Sequence, residues 1–523
     1  MKAFTEPLLS LAGFEEMTKT AEKSSGLISV TGCIDAQKSQ MIYAFGGHRK
    51  NKLIVTFGEQ KAKELYDEYS FFDKEVVYYP SKDVLFYQSD IRGNLLTAER
   101  IRALKAIHEQ ESVTLVTTFD ALMNTMAPIE KMWENVLTLE QGQLLDLKEI
   151  QAALIRMGYE KEYQVQTMGQ FSVRGGILDV FPLTEDNPIR IELWGDEIDT
   201  IRYFDCESQK SIENTDRVSI YPAAELVLSD EEKAGGIEKL KAEAKRVSDK
   251  LRKQMKTEEA HRVTVMADEL TEEWGELSMY AGMDAFLSYF FDERVGLLDY
   301  FNPSDSLIFF DELTRCAEQG KLTETEFSES MKQRLAMGYI LPGQMNGLFT
   351  EKEIVAKLGK YSCIALAALD NKANGLHQLG SYGIHCQSVS PYNNSFELLI
   401  KDLKRYKKNG YRVILLSGSR TRAKRLSEDI TDQGITCFYT ENYDHELFEG
   451  QIMVCYGKVR RGFEYPILKF AVITESDIFG AQQKKKKRHR TYEGEKIQSF
   501  TDLSVGDYVV HENHGLGIYR GIE

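Results

Sequence analysis

Four short apolar runs, LISVTG (27–32), KLIVTF (52–57), EVVYYP (75–80) and VTLVTT (113–118), alternate with amphipathic stretches such as TAERIRALKAIHE (97–109). Runs that are apolar at consecutive positions, not at every second one, suit strands buried on both faces. Such strands need helices above and below, and the alternation supplies them. Few architectures satisfy this pattern, and the reading is an α/β fold built on a parallel sheet. SLIFFDEL (306–313) returns to the same kind of strand far downstream.

The stretch after the first run, VTGCIDAQKSQ (30–40), sits where a parallel sheet places a phosphate loop, at the C-terminal end of a strand. The pattern G-x-x-x-x-G-K-[ST] is kept at Gly32, Lys38 and Ser39, but its second glycine is Gln37. In a working loop, bare backbone N–H groups nest around the phosphates, the lysine reaches the β/γ oxygens, and the hydroxyl holds magnesium. A side chain at Gln37 fills space that must stay open, so the expectation is a loop without useful ATP binding. The bland alternative is that Lys38 and Ser39 only open a helix. LIFFDE ends in Asp311 and Glu312, a Walker B-like pairing in which the first carboxylate would hold magnesium and the second would orient water. The arginines that a nucleotide motor also needs cannot be assigned, although Arg420, Arg422, Arg460 and Arg461 lie downstream.

A chain of 523 residues exceeds one core and implies roughly three to five domains. Its net charge of −16 argues against a dedicated duplex-DNA binder and fits a protein that mostly meets other proteins. There is no apolar run long enough to span a membrane, and MKAFTEPLLS lacks the apolar core of a secretory signal. Seven dispersed cysteines without a CxxC pair read as reduced, buried thiols. These features together lead us to expect a cytoplasmic protein.

Residues 136–220 change character. QFSVRGGILDVFP and PIRIELWGDEIDTIRYFD read as antiparallel strands with turns at Gly175-Gly176 and Gly195-Asp196. In the second segment Ile189, Ile191 and Leu193 share one face; Arg190, Glu192 and Trp194 share the other. A tryptophan beside an arginine on an outer face is a typical interface anchor, and Arg174 could join from a neighbouring strand. The competing reading packs Trp194 under a loop and pairs Arg190 with Glu192. Residues 229–275 read as charged helices opening at a Ser-Asp cap. SCIALAAL, RVILLSG, QIMVCYG and KFAVITE read as the strands of a further α/β unit over 346–480. KKKKRHR (484–490) reads as a solvated linker in preference to a nucleic-acid contact. His511 and His514 read as a turn between two strands, with no matching ligand cluster for a metal.

Two segments carry a family resemblance. GQFSVRGGILDVFPLTEDNPIRIELWGDEIDTIRYFDCESQKSIE resembles the module shared by the nucleotide-excision-repair protein UvrB and the bacterial transcription-repair coupling factors, the Mfd family. VGDYVVHENHGLGIYRGIE resembles the start of that family's RNA-polymerase-interacting domain, which UvrB lacks. The resemblance implies a degenerate RecA-like lobe over 1–135 and 221–345, a UvrA-binding insertion domain over 136–220, and the additional α/β domain over 346–480. It also implies a basic linker over 481–500 and the opening part, over 501–523, of a Tudor/CarD-like β domain that so few residues cannot close. It places the UvrA contact on Arg174, Arg190 and Trp194, and a relic nucleotide loop on Gly32, Gln37, Lys38 and Ser39. It gives the segment no catalytic residue, no metal and no cofactor of its own.

In the family, a motor using ATP and magnesium follows the polymerase-binding domain and works on upstream DNA. The polymerase β subunit is the expected partner of 501–523, and a C-terminal domain is expected to mask the UvrA-binding face in the resting protein. The aromatic segment 76–90 lies near where UvrB carries its DNA-clamping hairpin and is too short for it. The contrasting reading is an active UvrB-like ATP-dependent repair helicase subunit, with Asp311-Glu312 as its best support.

Overall fold

The computed structural model describes residues 1–46, 49–82, 94–276, 282–369, 375–480, 508–511 and 515–518. They fall into two compact units, 1–480 and 481–523. In the second unit, Tyr508–His511 and Gly515–Ile518 form an antiparallel pair.

The largest sheet of the first unit has seven strands in the order Gln378–Gly383, Gly26–Thr31, Ser362–Leu366, Ser306–Asp311, Asn51–Thr56, Thr114–Thr118 and Val77–Tyr79. All neighbouring pairs are parallel. The apolar runs alternate between two cores. Leu27, Leu53, Val55, Ile308 and Phe310 face one side with the helices Asn94–Glu109, Leu313–Ala336 and Glu351–Leu358. Ile28, Val30, Ile54, Leu307 and Phe309 face the other.

That second core does not stop at its helices. Lys2–Leu9, Phe14–Lys23, Asp35–Phe45 and Glu59–Tyr69 form a middle layer. Across it the same core takes in Ile414, Leu416, Met453, Phe463, Tyr465 and Val472 from a second sheet. This six-stranded sheet runs Gln387–Ser388, Phe463–Tyr465, Phe470–Thr474, Arg412–Ser417, Ile452–Tyr456 and Phe438–Tyr439. Its other face, through Val413, Leu415, Val454 and Ile473, packs under the helices Phe396–Lys408 and Arg420–Asp432. One helical layer thus serves two sheets.

The sequence reading needs a correction here. Ser362–Leu366 was expected to open a separate unit at 346. It instead pairs with Gly26–Thr31 and Ser306–Asp311 at the centre of the first sheet, and Gln378–Gly383 extends that sheet's edge. The second sheet begins only at Gln387. A strand buried on both faces looks the same in either sheet, and only its pairing partner decides.

Residues 137–220 fold as an insertion. Leu137–Glu140 pairs antiparallel with Arg217–Ile220, so the chain leaves and returns at one place. Between them lies a six-stranded sheet, antiparallel except for Glu160–Lys161 beside Gln170–Arg174. It has a core of its own around Phe171, Leu178, Ile189, Ile191 and Ile201. A buried network receives the returning chain. Arg100 donates to both oxygens of Glu225 (2.7 and 3.0 Å) and to the Pro80 carbonyl (2.6 Å). Burial alone would raise the Glu225 carboxyl, but Arg100 and Lys82 outweigh it and hold it down to about 2. The charged helices Asp230–Lys253 and Thr257–Glu276 pack as a hairpin, the first opened by a Ser229–Glu232 capping box.

Where the middle layer meets the second sheet, Glu68 is buried and accepts from the Arg460 backbone N–H (3.3 Å). Burial pushes its carboxyl up to about 7, against weaker opposing pulls from Arg460 and Lys61. An acid raised in the folded state holds its proton more tightly there than in the unfolded chain. Its contribution to stability is therefore present at low pH and is lost as pH rises from the ordinary carboxylate range through 7. Comparing unfolding of the chain with Glu68→Gln between pH 5 and pH 8 should show the natural chain losing roughly 3 kcal/mol more over that window. Parallel profiles for the two would refute this assignment.

Candidate functional site

The strand Gly26–Thr31 ends at Gly32, whose φ of +78° and whose approach to the Ile384 carbonyl both demand glycine; a Cβ would lie 2.0 Å from that oxygen. The helix Asp35–Phe45 starts three residues later. Only Gly32, Cys33 and Ile34 connect strand and helix, too little backbone to curl a nest of N–H groups around a phosphate chain. Gln37 therefore lies inside the first turn of the helix and not in a loop. It is fully buried, and the Tyr465 hydroxyl from the second sheet donates to its Oε1 (3.1 Å). Ser39 is buried too, and its hydroxyl makes no hydrogen bond to the protein.

Lys38 does meet the Walker B-like pair. Its ammonium, on a side chain 1% exposed, lies 2.6 Å from Asp311 Oδ1, 2.8 Å from Glu312 Oε1 and 3.1 Å from Asp35 Oδ1. An ammonium has three donors, and all three are engaged. Thr56 donates to the other Asp311 oxygen (2.9 Å), the Ala368 N–H to Glu312 Oε1 (3.1 Å), and Lys61 pairs with Asp35 Oδ2 (2.9 Å). Burial works against the charge on Lys38, yet the Asp311 and Glu312 carboxylates prevail and hold it well above the usual lysine range. The three carboxylates come within 4.8 Å of one another, a spacing that could share a divalent ion, but what they share is the lysine. The three donors of the lysine are directed at these carboxylates, and Asp35 sets a negative charge at the helix N-terminus.

The insertion domain holds the second group of residues. Trp194, next to the turn glycine Gly195 (φ +66°), is 85% exposed, so it does not pack under a loop. Arg190 does not pair with Glu192; Glu192 is taken by Arg202. Arg190 instead makes a two-pronged bond to Asp179, Nε to Oδ1 at 2.6 Å and Nη2 to Oδ2 at 2.8 Å, and donates to Gln209 Oε1 (2.9 Å). Its guanidinium lies 4.3 Å from the Phe204 ring centroid. Arg174 reaches the same carboxylate, Nη2 to Asp179 Oδ2 at 2.9 Å, while staying partly exposed. Asp179, buried at 1% exposure, is the residue sequence reading missed. It sits directly opposite Arg190 in the strand register. Its signal was present: a carboxylate alternating with Leu178 and Val180 falls on the arginine face.

Arg420, Arg422, Arg460 and Arg461 are not brought to Lys38 as motor arginines. Arg460 pairs with Glu64 (2.5 Å), Arg420 with Glu441 (3.4 Å) and Arg422 with Glu475. Residues 484–490, His514, the His511 side chain and residues 83–90 of the aromatic segment lie outside what the structure describes. Among the described residues no helix is long and apolar enough to cross a membrane.

Removing the Lys38 charge leaves buried carboxylates without their counter-charge, so Lys38→Met should destabilise the first unit by about 3–5 kcal/mol in thermal or denaturant unfolding. Adding Asp311→Asn should restore part of that loss. A Lys38→Met chain as stable as the natural one would overturn the buried-pair geometry.

Comparison with known proteins agrees with this layout. Residues 137–226 match the UvrB interaction domain, the span between the paired strands 137–140 and 217–220 and the Glu225 anchor. Residues 503–523 match the CarD-like/TRCF RID domain. The transcription-repair-coupling factor of Bacillus subtilis (strain 168) is 29% identical over 473 residues, covering 90% of this chain and 40% of that protein. Those of Staphylococcus haemolyticus and Staphylococcus aureus (strain MRSA252) are 28% and 27% identical over 508 and 525 residues, covering 95% and 98% of this chain and 42% and 43% of theirs. The chain thus spans about two fifths of the length of the curated relatives it matches. Over nine tenths or more of its length the chain is similar to transcription-repair-coupling factors, and it matches the UvrB interaction domain and CarD-like/TRCF RID domain models at two places.

Proposed function

We propose that this chain is the recruitment part of a transcription-repair-coupling factor: a catalytically silent UvrB-like scaffold that presents its insertion domain to UvrA. The observation that carries this reading is the exposed Trp194 at the end of the strand that also bears Arg190, whose guanidinium shares the buried Asp179 carboxylate with that of Arg174, within the segment that matches the UvrB interaction domain. A large exposed aromatic and ordered arginines on one sheet face are residue types enriched in interface hot spots. The RID-matching segment contacts RNA polymerase, through its β subunit. In the whole protein, ATP and magnesium serve a motor outside this chain that works on upstream DNA to displace a stalled polymerase. The setting is nucleotide excision repair in the cytoplasm.

UvrA binding by this chain, measured by calorimetry, should fall at least tenfold for Trp194→Ala and for Arg174→Glu. Trp194→Ala should leave unfolding within about 0.5 kcal/mol of the natural chain, since so little of the side chain is buried. Arg190 is a poorer probe, because reversing its charge also strands Asp179. Full affinity in both of the first two variants would refute the interface.

One observation favours a second reading, an ATP-dependent UvrB-like enzyme: Lys38 does stand against Asp311 and Glu312, as in a working nucleotide site. The shortness of the connecting loop and the filled donors of Lys38 count against it. Calorimetric titration with ATP and magnesium should give no binding heat at millimolar nucleotide. Micromolar binding would put the enzyme reading first.

A further inference from the structure

Residues directly opposite one another in an antiparallel register put their side chains on one face of the sheet. In the insertion domain Trp194 stands opposite Glu197, and Glu197 stands opposite Leu144 through an isolated bridge on its other side. The three form one row, on the face that also carries Arg174 and Arg190. All three are exposed, Leu144 at 75%. A single exposed leucine on a surface is ordinary. This one shares a row with an open tryptophan and is held in place by its backbone. The Gly142 N–H donates to the Ile198 carbonyl (2.8 Å), the Ile198 N–H to the Gln143 carbonyl (2.9 Å) and the Leu145 N–H to the Asp196 carbonyl (2.7 Å). Leu145, one residue on, is buried in the core of the domain. The segment 142–145 is thus stitched beside the strand Glu197–Phe204, with one leucine sunk and the other presented.

We infer that Leu144 is a second apolar anchor of the surface that Trp194 presents to UvrA, which rests on the reading of that surface as the UvrA-binding face. Neighbouring strands lie about 4.8 Å apart, so Leu144, two strands from Trp194, is about 10 Å away. Arg174, two strands to the other side and two residues along, is about 12 Å away. Trp194 is therefore the middle of the three. An interface of standard size buries about 800 Å² on each partner, a round patch reaching about 16 Å from its centre, and its strongest anchors gather near that centre. A partner seated over Trp194 and Arg174 thus covers Leu144 as well. Burying this leucine adds apolar area at little ordering cost, because the backbone bonds already fix the segment that carries it.

Calorimetric titration of the full chain with UvrA should show Leu144→Ser weakening binding by at least about fivefold and Leu144→Met keeping it within about twofold of the natural chain. Leu322→Ser, at another exposed leucine on the helix Leu313–Ala336, is the control and should leave the affinity unchanged. Hydroxyl-radical footprinting of the natural chain needs no variant, and UvrA should shield the Leu144 side chain together with that of Trp194. The proposal is overturned if Leu144→Ser, with an unchanged unfolding curve, binds UvrA as the natural chain does. It is equally overturned if UvrA shields Trp194 and leaves Leu144 open. In either case a weakened Trp194→Ala complex keeps the UvrA reading standing, whereas full affinity in both Leu144→Ser and Trp194→Ala removes that reading along with the proposal.

Discussion

The contact on which the rest of the first unit depends is the Lys38 ammonium among Asp311, Glu312 and Asp35. It joins residues 273 positions apart. It also fixes the C-terminal ends of neighbouring strands, because Thr56 and Ala368 hydrogen-bond to the same carboxylates. A buried pair of this kind contributes little net stability relative to an apolar replacement, but it tolerates no half-measures, since any shift that parts the charges leaves one bare in a dry interior. The second sheet repeats the device. Glu475 takes the N–H of Gly418, the hydroxyl of Ser417 and the guanidinium of Arg422, where a strand hands over to a helix and an anion commonly binds. In both sheets the crevice at the strand ends is occupied by the protein's own carboxylates.

Much of this was legible locally. Consecutive apolar positions announced doubly buried strands, the Ser229-Asp230 cap announced a helix start, and period-two alternation placed Ile189 and Ile191 on the core face and Trp194 on the opposite one. What stayed hidden was set by partners distant in sequence. Ser362–Leu366 carries the pattern of a central strand in any parallel sheet, and nothing in its residues names the first sheet as its own. The residue Gln37 read as an obstruction in a loop, because the helix start at Asp35 depends on packing against a second sheet more than four hundred residues away. Asp179 was passed over because a single acid in an apolar strand looks like a surface residue until its register opposite Arg190 is known.

The insertion domain shows how charge counted in sequence misleads about charge presented. Arg174 and Arg190 suggest a basic face, yet one buried carboxylate binds both, leaving a single net positive charge on the trio. On the proposed reading, the surface would be defined less by its field than by its shape: one planar group pinned and largely covered, a second pinned and partly open, and an indole standing free. Ordering these side chains in advance reduces the entropy that binding must overcome.

The pairing of Leu137–Glu140 with Arg217–Ile220 has a consequence for descent. Because the domain between them enters and leaves through adjacent strands and encloses its own core, its host sees only a closed two-strand clasp. Such a unit can be lost, gained or exchanged between otherwise unrelated scaffolds without disturbing their strand order. The host sheet can therefore keep its strand order and its buried carboxylate–lysine contact while the enclosed domain changes on its own.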